Sequence, residues 1–206
     1  MTISIITAIT LSLILLLTTI ALTSVSISFG AQTNETSSLQ QQAQSCKLTE
    51  SNIQGPFYKE GAPFKQVLRE GLEGGGGERL VLSGKVLNMR CEPVEGAVLD
   101  FWQADSNGNY DNEGFTLRGK VKTDKDGKYL LDTIIPKEYG QGIAIRPSHI
   151  HVKVGIPGQS TLTTQLYFEG DTYNESDLFI KDSLIMKVVE ENGTKKANFD
   201  FVIEDQ

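Results

Sequence analysis

Residues 149–154 read HIHVKV, and this strict alternation of two residue classes is typical of a β-strand. Successive side chains of a β-strand point to opposite faces of the sheet, so His149 and His151 share one face while Ile150 and Val152 share the other. Short alternating runs separated by turn signals recur along the chain, and no long helix is needed to account for them. The sequence therefore predicts an all-β domain.

The predicted strands alternate with turn signals. Asn107-Gly108 and Asp126-Gly127 are tight-turn dipeptides, because both supply the positive φ that a two-residue hairpin needs. Many short strands joined by turns are typical of an antiparallel β-sandwich or barrel. The runs that we interpret as strands are 79–87, 96–104, 119–123, 128–134, 149–155, 163–167, 184–190 and 197–203.

The composition is that of an ordinary globular chain with an acidic balance. The chain has 206 residues, 39% of them hydrophobic, and a formal net charge of -7. This length is enough for one domain with a sizeable core. Lys and Arg form no cluster that would follow a phosphate backbone, so we expect no nucleic-acid partner.

The amino-terminal segment differs from the rest of the chain. Residues 1–30 contain no charged side chain, which predicts either a cleaved signal peptide or a retained membrane anchor. Residues 31–45 are rich in Gln, Ser and Thr and predict a disordered tether. The folded domain is expected over residues 46–206. We expect it outside the cytoplasm, secreted or anchored to the outer face of the membrane.

The chain contains two cysteines, Cys46 and Cys91. In an oxidising compartment an even pair is more often bonded than free, so the sequence predicts a disulfide between them. A metal site built on two cysteines would need partners at ligand spacing, and none is present in the sequence.

The two histidines of the chain are the ones in the alternating run. Two imidazoles on one strand face can meet one metal ion, and imidazole suits iron, copper or zinc. From the pattern alone, two histidines on a solvated strand face are an equally good interpretation. A metal site would need further oxygen ligands, either carboxylates or phenolates. Tyr110 and Tyr139 lie in predicted loops beside strand ends, where a β scaffold presents functional groups.

An ordered set of motifs resembles the intradiol ring-cleavage dioxygenases, the family of catechol 1,2-dioxygenases and protocatechuate 3,4-dioxygenases. The resemblance covers roughly residues 46 to 203, and so many matches in one order make chance a poor explanation. It implies an antiparallel, prealbumin-like β-sandwich with long functional loops. The motifs that carry the resemblance are residues 53–58, 93–97, 100–110, 117–119, 123–129, 133–139, 146–151 and 162–166.

The resemblance implies a mononuclear iron site. It makes Tyr110, Tyr139, His149 and His151 the ligands of a ferric ion. Phenolates are hard anionic donors that favour iron(III), and a tripositive ion can deprotonate a tyrosine whose free pKa is about 10. The implied cofactor is therefore Fe(III).

The resemblance also implies the reaction. A catechol-type substrate and O2 would react, and the ring would open between the two hydroxylated carbons to give a muconate-type diacid. A displaced hydroxide and one displaced tyrosinate, that of Tyr110 or Tyr139, would take up the two catechol protons. Arg146 would stabilise developing negative charge, and Gln165 would help to fix the substrate. Without the surrounding motifs, Arg146 would be interpreted as an exposed ion pair and Gln165 as a solvent-facing strand residue.

Two other functions fit parts of the sequence. An exported β-sandwich binding or structural module is one, because prealbumin-like repeats share the strand and turn motifs at 84–86, 93–97 and 123–129. An iron(II) enzyme with two histidines and one carboxylate is the other. The chain also departs from the family at Gln54, where many members carry Glu. It lacks the long amino-terminal helical region of the catechol branch, so the oligomeric state cannot be transferred.

Overall fold

The computed structural model describes residues 45–72, 76–140 and 142–204. The only helices in this part of the chain are short 3-10 turns at Gly142–Ala144, Asn174–Ser176 and Asp182–Leu184. None of them has the length and apolarity needed to cross a bilayer. The strands are β1 (Arg79–Leu87), β2 (Val98–Gln103), β3 (Arg118–Lys122), β4 (Lys128–Ile134), β5 (His149–Gly155), β6 (Thr161–Phe168), β7 (Ile185–Met186), β8 (Val188–Glu191), β9 (Thr194–Asn198) and β10 (Phe201–Val202).

The strands form two five-stranded sheets. In the first sheet β1 is central: it pairs antiparallel with β4 and parallel with β9 and then β10, while β8 extends the sheet beyond β9. The second sheet has the order β3-β2-β5-β6-β7. Its pairs are antiparallel except for the last, β6 with β7.

One hydrophobic cluster lies between the sheets. It includes Leu80 and Leu82 of β1 together with Phe101 of β2, Ile150 of β5 and Leu166 of β6, all fully buried. Side chains from both sheets meet in it, so the domain is a sandwich. The predicted all-β sandwich is thus confirmed, with the addition that three of its strand pairs are parallel.

Two predicted strands are each divided in the structure. The run 184–190 becomes β7 in the second sheet and β8 in the first, because the chain crosses between sheets at Lys187. The run 197–203 becomes β9 and β10, which pair with successive parts of β1. Alternation of apolar residues marks a strand but carries no information about which sheet it joins.

The two predicted tight turns exist, but neither closes a two-residue hairpin. Gly108 and Gly127 have positive φ values of 81° and 71°. Gly108 lies inside the long β2–β3 loop, and Gly127 lies in the connection from β3 to β4, which belong to different sheets. The residue type therefore predicts the backbone conformation correctly and the strand pairing incorrectly.

Residues 46–58 form a strap that runs outside the strands and passes close to His151, near the beginning of β5. The backbone N–H of Thr49 donates to the Val202 carbonyl at 3.0 Å, and that of Asn52 donates to the Thr163 carbonyl at 2.8 Å. The strap is thereby tied to β10 of one sheet and β6 of the other. The predicted segment 1–30 and all of the predicted tether except Ser45 lie outside the described residues.

The strap begins at the predicted disulfide, Cys46–Cys91, which the structure contains. The bond joins residues 45 positions apart. Closing a loop of that size is expected to stabilise the fold by about 4 kcal/mol through the lost entropy of the unfolded chain. The double variant Cys46→Ser/Cys91→Ser is therefore expected to lose about 4 kcal/mol of unfolding free energy, measured by equilibrium urea unfolding. A loss below about 1 kcal/mol would mean that the unfolded chain gains little freedom when the bond is removed.

Candidate active site

Strand β5 carries both histidines on the face of the second sheet that points away from the core. Its register places His151 opposite Trp102 of β2 and Gln165 of β6, and places His149 opposite Tyr167. Each histidine is at most 2% exposed. Their Nε2 atoms lie 3.1 Å apart, so both rings point their outer nitrogen at the same place.

The protonation state of His149 follows from its second nitrogen. Its Nδ1 lies 2.6 Å from the Pro147 carbonyl oxygen, and since a carbonyl only accepts, Nδ1 carries the proton and donates it. Burial, reinforced by the positive charge of Arg146, lowers the pKa of His149 to about 4. Burial also lowers the pKa of His151 well below its usual range. Both imidazoles are therefore neutral near pH 7, which is the metal-binding form.

The two tyrosines reach the histidines from separate loops. Tyr110 lies in the β2–β3 loop and Tyr139 in the β4–β5 loop, where its backbone pairs with that of Arg146 in both directions. The loops touch at Gly108, where a Cβ would lie 2.6 Å from the Glu138 carbonyl oxygen. Only a glycine allows this approach, which brings the two tyrosine-bearing loops together.

The four aromatic rings form one cluster. The ring centroids of Tyr110 and Tyr139 are 5.4 Å apart with perpendicular planes. Tyr110 lies 6.2 Å from His151, and Tyr139 lies 5.5 Å from His149. The structure thus brings together Tyr110, Tyr139, His149 and His151, which are distant in sequence.

The donor atoms in this cluster are better matched to a metal ion than to hydrogen bonds with one another. The Tyr110 hydroxyl is buried and has no hydrogen-bond partner among the described residues. Burial and the neighbouring Tyr139 raise the pKa of Tyr110 far above its usual value. A buried, unpaired phenol is costly, and a hard cation at this place would remove the cost by coordinating the phenolate. Two phenol oxygens and two imidazole nitrogens fit a ferric ion.

The carboxylate alternative finds no support in this region. In the described residues no group of three or more His, Cys, Asp or Glu side chains could hold a metal ion. A site with two histidines and one carboxylate would require such a group. The oxygen donors beside the histidines are the tyrosines.

A second polar cluster adjoins the four rings. Arg146 Nη2 donates to Gln165 Oε1 at 2.9 Å and contacts the Tyr167 hydroxyl at 3.1 Å. Arg146 Nε donates to Asp177, whose side chain is 1% exposed. Gln165 Nε2 in turn donates to the Ile53 carbonyl at 2.7 Å. The guanidinium and the amide therefore have fixed directions before any ligand enters.

Several residues of this region were not predicted from the sequence as site residues. Phe57 of the strap stacks on Tyr110 with a centroid distance of 4.3 Å. Tyr167 shares the site face of β6 with Gln165, which the two-residue period could have indicated. Trp102 lies in an apolar run that is typical of core; it is buried, but its ring stacks on His151 on the site face. Asp177 lies in the β6–β7 loop, where no residue pattern indicates a function.

The fold and the gathered side chains first define a class. A sequence model of the family described as Dioxygenase matches residues 53–205. The relative "6-chlorohydroxyquinol 1,2-dioxygenase" of Cupriavidus pinatubonensis is 34% identical over 177 residues, covering 75% of this chain and 64% of that protein. "Chlorocatechol 1,2-dioxygenase" of Rhodococcus opacus is 32% identical, covering 76% of this chain and 72% of that protein.

Solved structures agree with these relatives. The dioxygenase domain of a dioxygenase carbohydrate-binding protein fusion from Streptomyces sp. SirexAA-E has a TM-score of 0.72 and 38% identity, covering 78% of this chain and all of that chain. The 3-chlorocatechol 1,2-dioxygenase of Rhodococcus opacus 1CP has a TM-score of 0.71 and 28% identity, covering 77% of this chain and 73% of that chain. The chain belongs to the intradiol ring-cleavage dioxygenase family, as the sequence motifs predict.

Proposed function

We propose that the chain is a non-haem iron(III) dioxygenase that opens the ring of a catechol-type substrate between its two hydroxylated carbons. O2 is the co-substrate and a muconate-type diacid is the product. The observation that carries this proposal is the convergence of two tyrosines and two histidines on one sheet face, with an orphaned phenol among them. Family membership supports the same reaction class.

The metal ligands in this proposal are Tyr110, Tyr139, His149 and His151. Two phenolates supply negative charge, and two neutral imidazoles supply nitrogen donors, so a buried ferric ion would be largely neutralised. When bound, the ion acts as a Lewis acid and template that makes the chelated catechol electron-rich toward O2.

One of the tyrosines would also serve as a proton acceptor. A catechol must lose two protons to bind as a dianion; a hydroxide ion would take up one of them and the phenolate of Tyr110 or Tyr139 the other. The Tyr110 hydroxyl has no competing hydrogen bond among the described residues, and its pKa is raised by burial. The buried surroundings of Tyr110 therefore favour the protonated form of its hydroxyl.

Arg146 and Gln165 act on the substrate. The Arg146 guanidinium is held by Asp177 and lies beside the histidines, where it stabilises negative charge that develops on the reacting ring. The Gln165 amide is already bonded to Arg146 and to the strap, so it fixes the position of both. Preorganised groups of this kind need no rearrangement during the reaction.

The substrate class follows from the relatives. Proteins named for chlorocatechol, catechol and hydroxyquinol 1,2-dioxygenation are 31–34% identical to this chain. The shared part of these substrates is an aromatic ring with two adjacent hydroxyls. Gln54 lies in the strap at a position where many family members carry Glu, so the strap has one negative charge fewer there.

We place the enzyme outside the cytoplasm, secreted or anchored through residues 1–30. The supporting observations are the uncharged amino-terminal segment and the Cys46–Cys91 disulfide, which persists in oxidising compartments. A small-molecule substrate and O2 are then its partners there.

The proposal is tested with the full-length chain loaded with ferric iron. We expect one iron per chain and a visible absorption band from phenolate bound to iron(III), and we expect this band to shift when catechol is added. Oxygen consumption should follow the addition. A colourless protein that retains no iron would instead support the binding module.

A further inference from the structure

The two histidines differ in what holds their rings. His149 donates its Nδ1–H to the Pro147 carbonyl at 2.6 Å. The corresponding Nδ1 of His151 is buried and has no hydrogen-bond partner among the described residues. A metal-binding histidine almost always donates its second ring nitrogen to an acceptor, which fixes the ring direction. Since His151 lacks this bond, other contacts must orient it.

One of these contacts is with His149, whose Nε2 lies 3.1 Å from that of His151. The others come from Trp102 and from the strap. The rings of Trp102 and His151 stack with a centroid distance of 4.8 Å and an interplanar angle of 6°. The strap backbone at Gly55 approaches the edge of the imidazole, and a Cβ there would lie 3.3 Å from Cε1 of His151. Gly55 has no side chain, so the strap backbone can come this close to the imidazole. Its φ of 70° is positive, a conformation that glycine adopts readily.

Trp102 is itself held in place on the sheet. It lies opposite His151 in the β2–β5 register. The Tyr58 ring packs edge-on against it at 4.9 Å, and the Tyr58 hydroxyl donates to the buried Asp100 at 3.2 Å. Lys153 Nζ lies 3.8 Å from the Tyr58 ring centroid on the outer side of this stack. The indole is thus packed on its face by His151 and at its edge by Tyr58, while its Nε1 is buried with no hydrogen-bond partner among the described residues.

We propose that Trp102 is a positioning residue, whose indole takes the place of the missing hydrogen bond and directs Nε2 of His151 toward His149. The inference rests on the proposed metal site, but the ring contact on which it depends is present without a metal. The sequence contains one tryptophan, so no other indole can substitute for it.

The first arm of the test uses the metal-free full-length chain. Two histidines give two sets of imidazole signals in a proton–carbon NMR spectrum. An indole stacked at 4.8 Å shifts the Cε1–H signal of His151 upfield by its ring current. In Trp102→Leu this signal is expected to move to the position of an unstacked imidazole. Trp102→Phe is expected to retain a smaller upfield shift.

The second arm measures ferric-ion affinity by competition with a chelator. Loss of a group that orients a ligand typically costs about 10–100-fold in metal affinity, and this range is expected for Trp102→Leu. For Trp102→Phe we expect a loss of less than about tenfold, because one aromatic ring replaces another. Phe101→Leu is the matched control. Phe101 directly precedes Trp102 in β2 and is equally buried, but its side chain lies in the core. It should lower the melting temperature and leave metal affinity unchanged.

Three outcomes overturn the inference. One is an unchanged His151 signal in Trp102→Leu. Another is an equal loss of affinity in Trp102→Leu and Phe101→Leu, which would mean that only stability matters. If Trp102→Leu does not fold, Trp102→Phe decides, and a His151 signal at the unstacked position with full metal affinity would refute positioning by the ring. Failure of the wild-type chain to bind iron would refute the proposed function, while the NMR arm would still test the stacking contact on which the role of Trp102 depends.

Discussion

His151→Ala is expected to remove bound iron. It is also expected to lower the rate of ring cleavage by more than about 100-fold, which is the upper end of the loss caused by removing a group that only orients a ligand. The substitution deletes one of two nitrogen donors from a site that is almost fully buried. Water entering the space would replace the imidazole poorly, because it does not carry the fixed direction of the ring. Iron content by elemental analysis and initial rates of oxygen uptake measure both effects.

Val152→Ala is the control for this variant. Val152 is the next residue of β5, and its fully buried side chain points into the core. The truncation is expected to cost about 1–3 kcal/mol of stability by removing buried methyl groups, with iron content retained. Full iron content and normal turnover in His151→Ala would contradict the assignment of His151 as a ligand.

Arg146→Gln is expected to lower kcat by about 100- to 1000-fold, the usual cost of removing one preorganised charge-stabilising group. Iron content and the visible band should be retained, because Arg146 is not a proposed ligand. Stability should fall as well, since the buried Asp177 carboxylate would lose its cation, and breaking such a pair costs about 3–5 kcal/mol. Steady-state kinetics and thermal unfolding separate the two losses.

The double variant Arg146→Gln/Asp177→Asn distinguishes a catalytic effect from a folding effect. Neutralising both partners is expected to restore much of the lost stability, because no buried charge remains unpaired. The low kcat should persist. Recovery of kcat together with stability would show that Arg146 only maintains the fold around the site.

Local residue patterns predict the strands of this fold well. The runs 79–87, 128–134 and 149–155 have the same bounds in the structure. The last of them alternates polar and apolar residues strictly, and the other two do so in part. The sheet to which a strand belongs depends on where the chain crosses the core. This crossing, at Lys187, left no mark in the residue pattern.

The candidate site was predictable where its residues belong to a motif. Tyr110, Tyr139, His149 and His151 are four such residues, and the structure brings their rings together. Their roles as ligands stay a prediction. Asp177 and Trp102 were missed for physical reasons. A carboxylate in a polar loop looks solvated, and a tryptophan in an apolar strand looks like core, until the sheet register and the loop path are known.

The most direct test of the central proposal is the mass of the product formed from catechol by the iron-loaded, full-length chain under 18O2. Cleavage between the hydroxylated carbons predicts an open-chain diacid that carries two labelled oxygen atoms, one in each carboxyl group. A hydroxy-aldehyde acid, formed by cleavage beside the hydroxylated carbons, would contradict the proposed reaction. An unlabelled quinone, formed by oxidation without oxygen insertion, would contradict it as well.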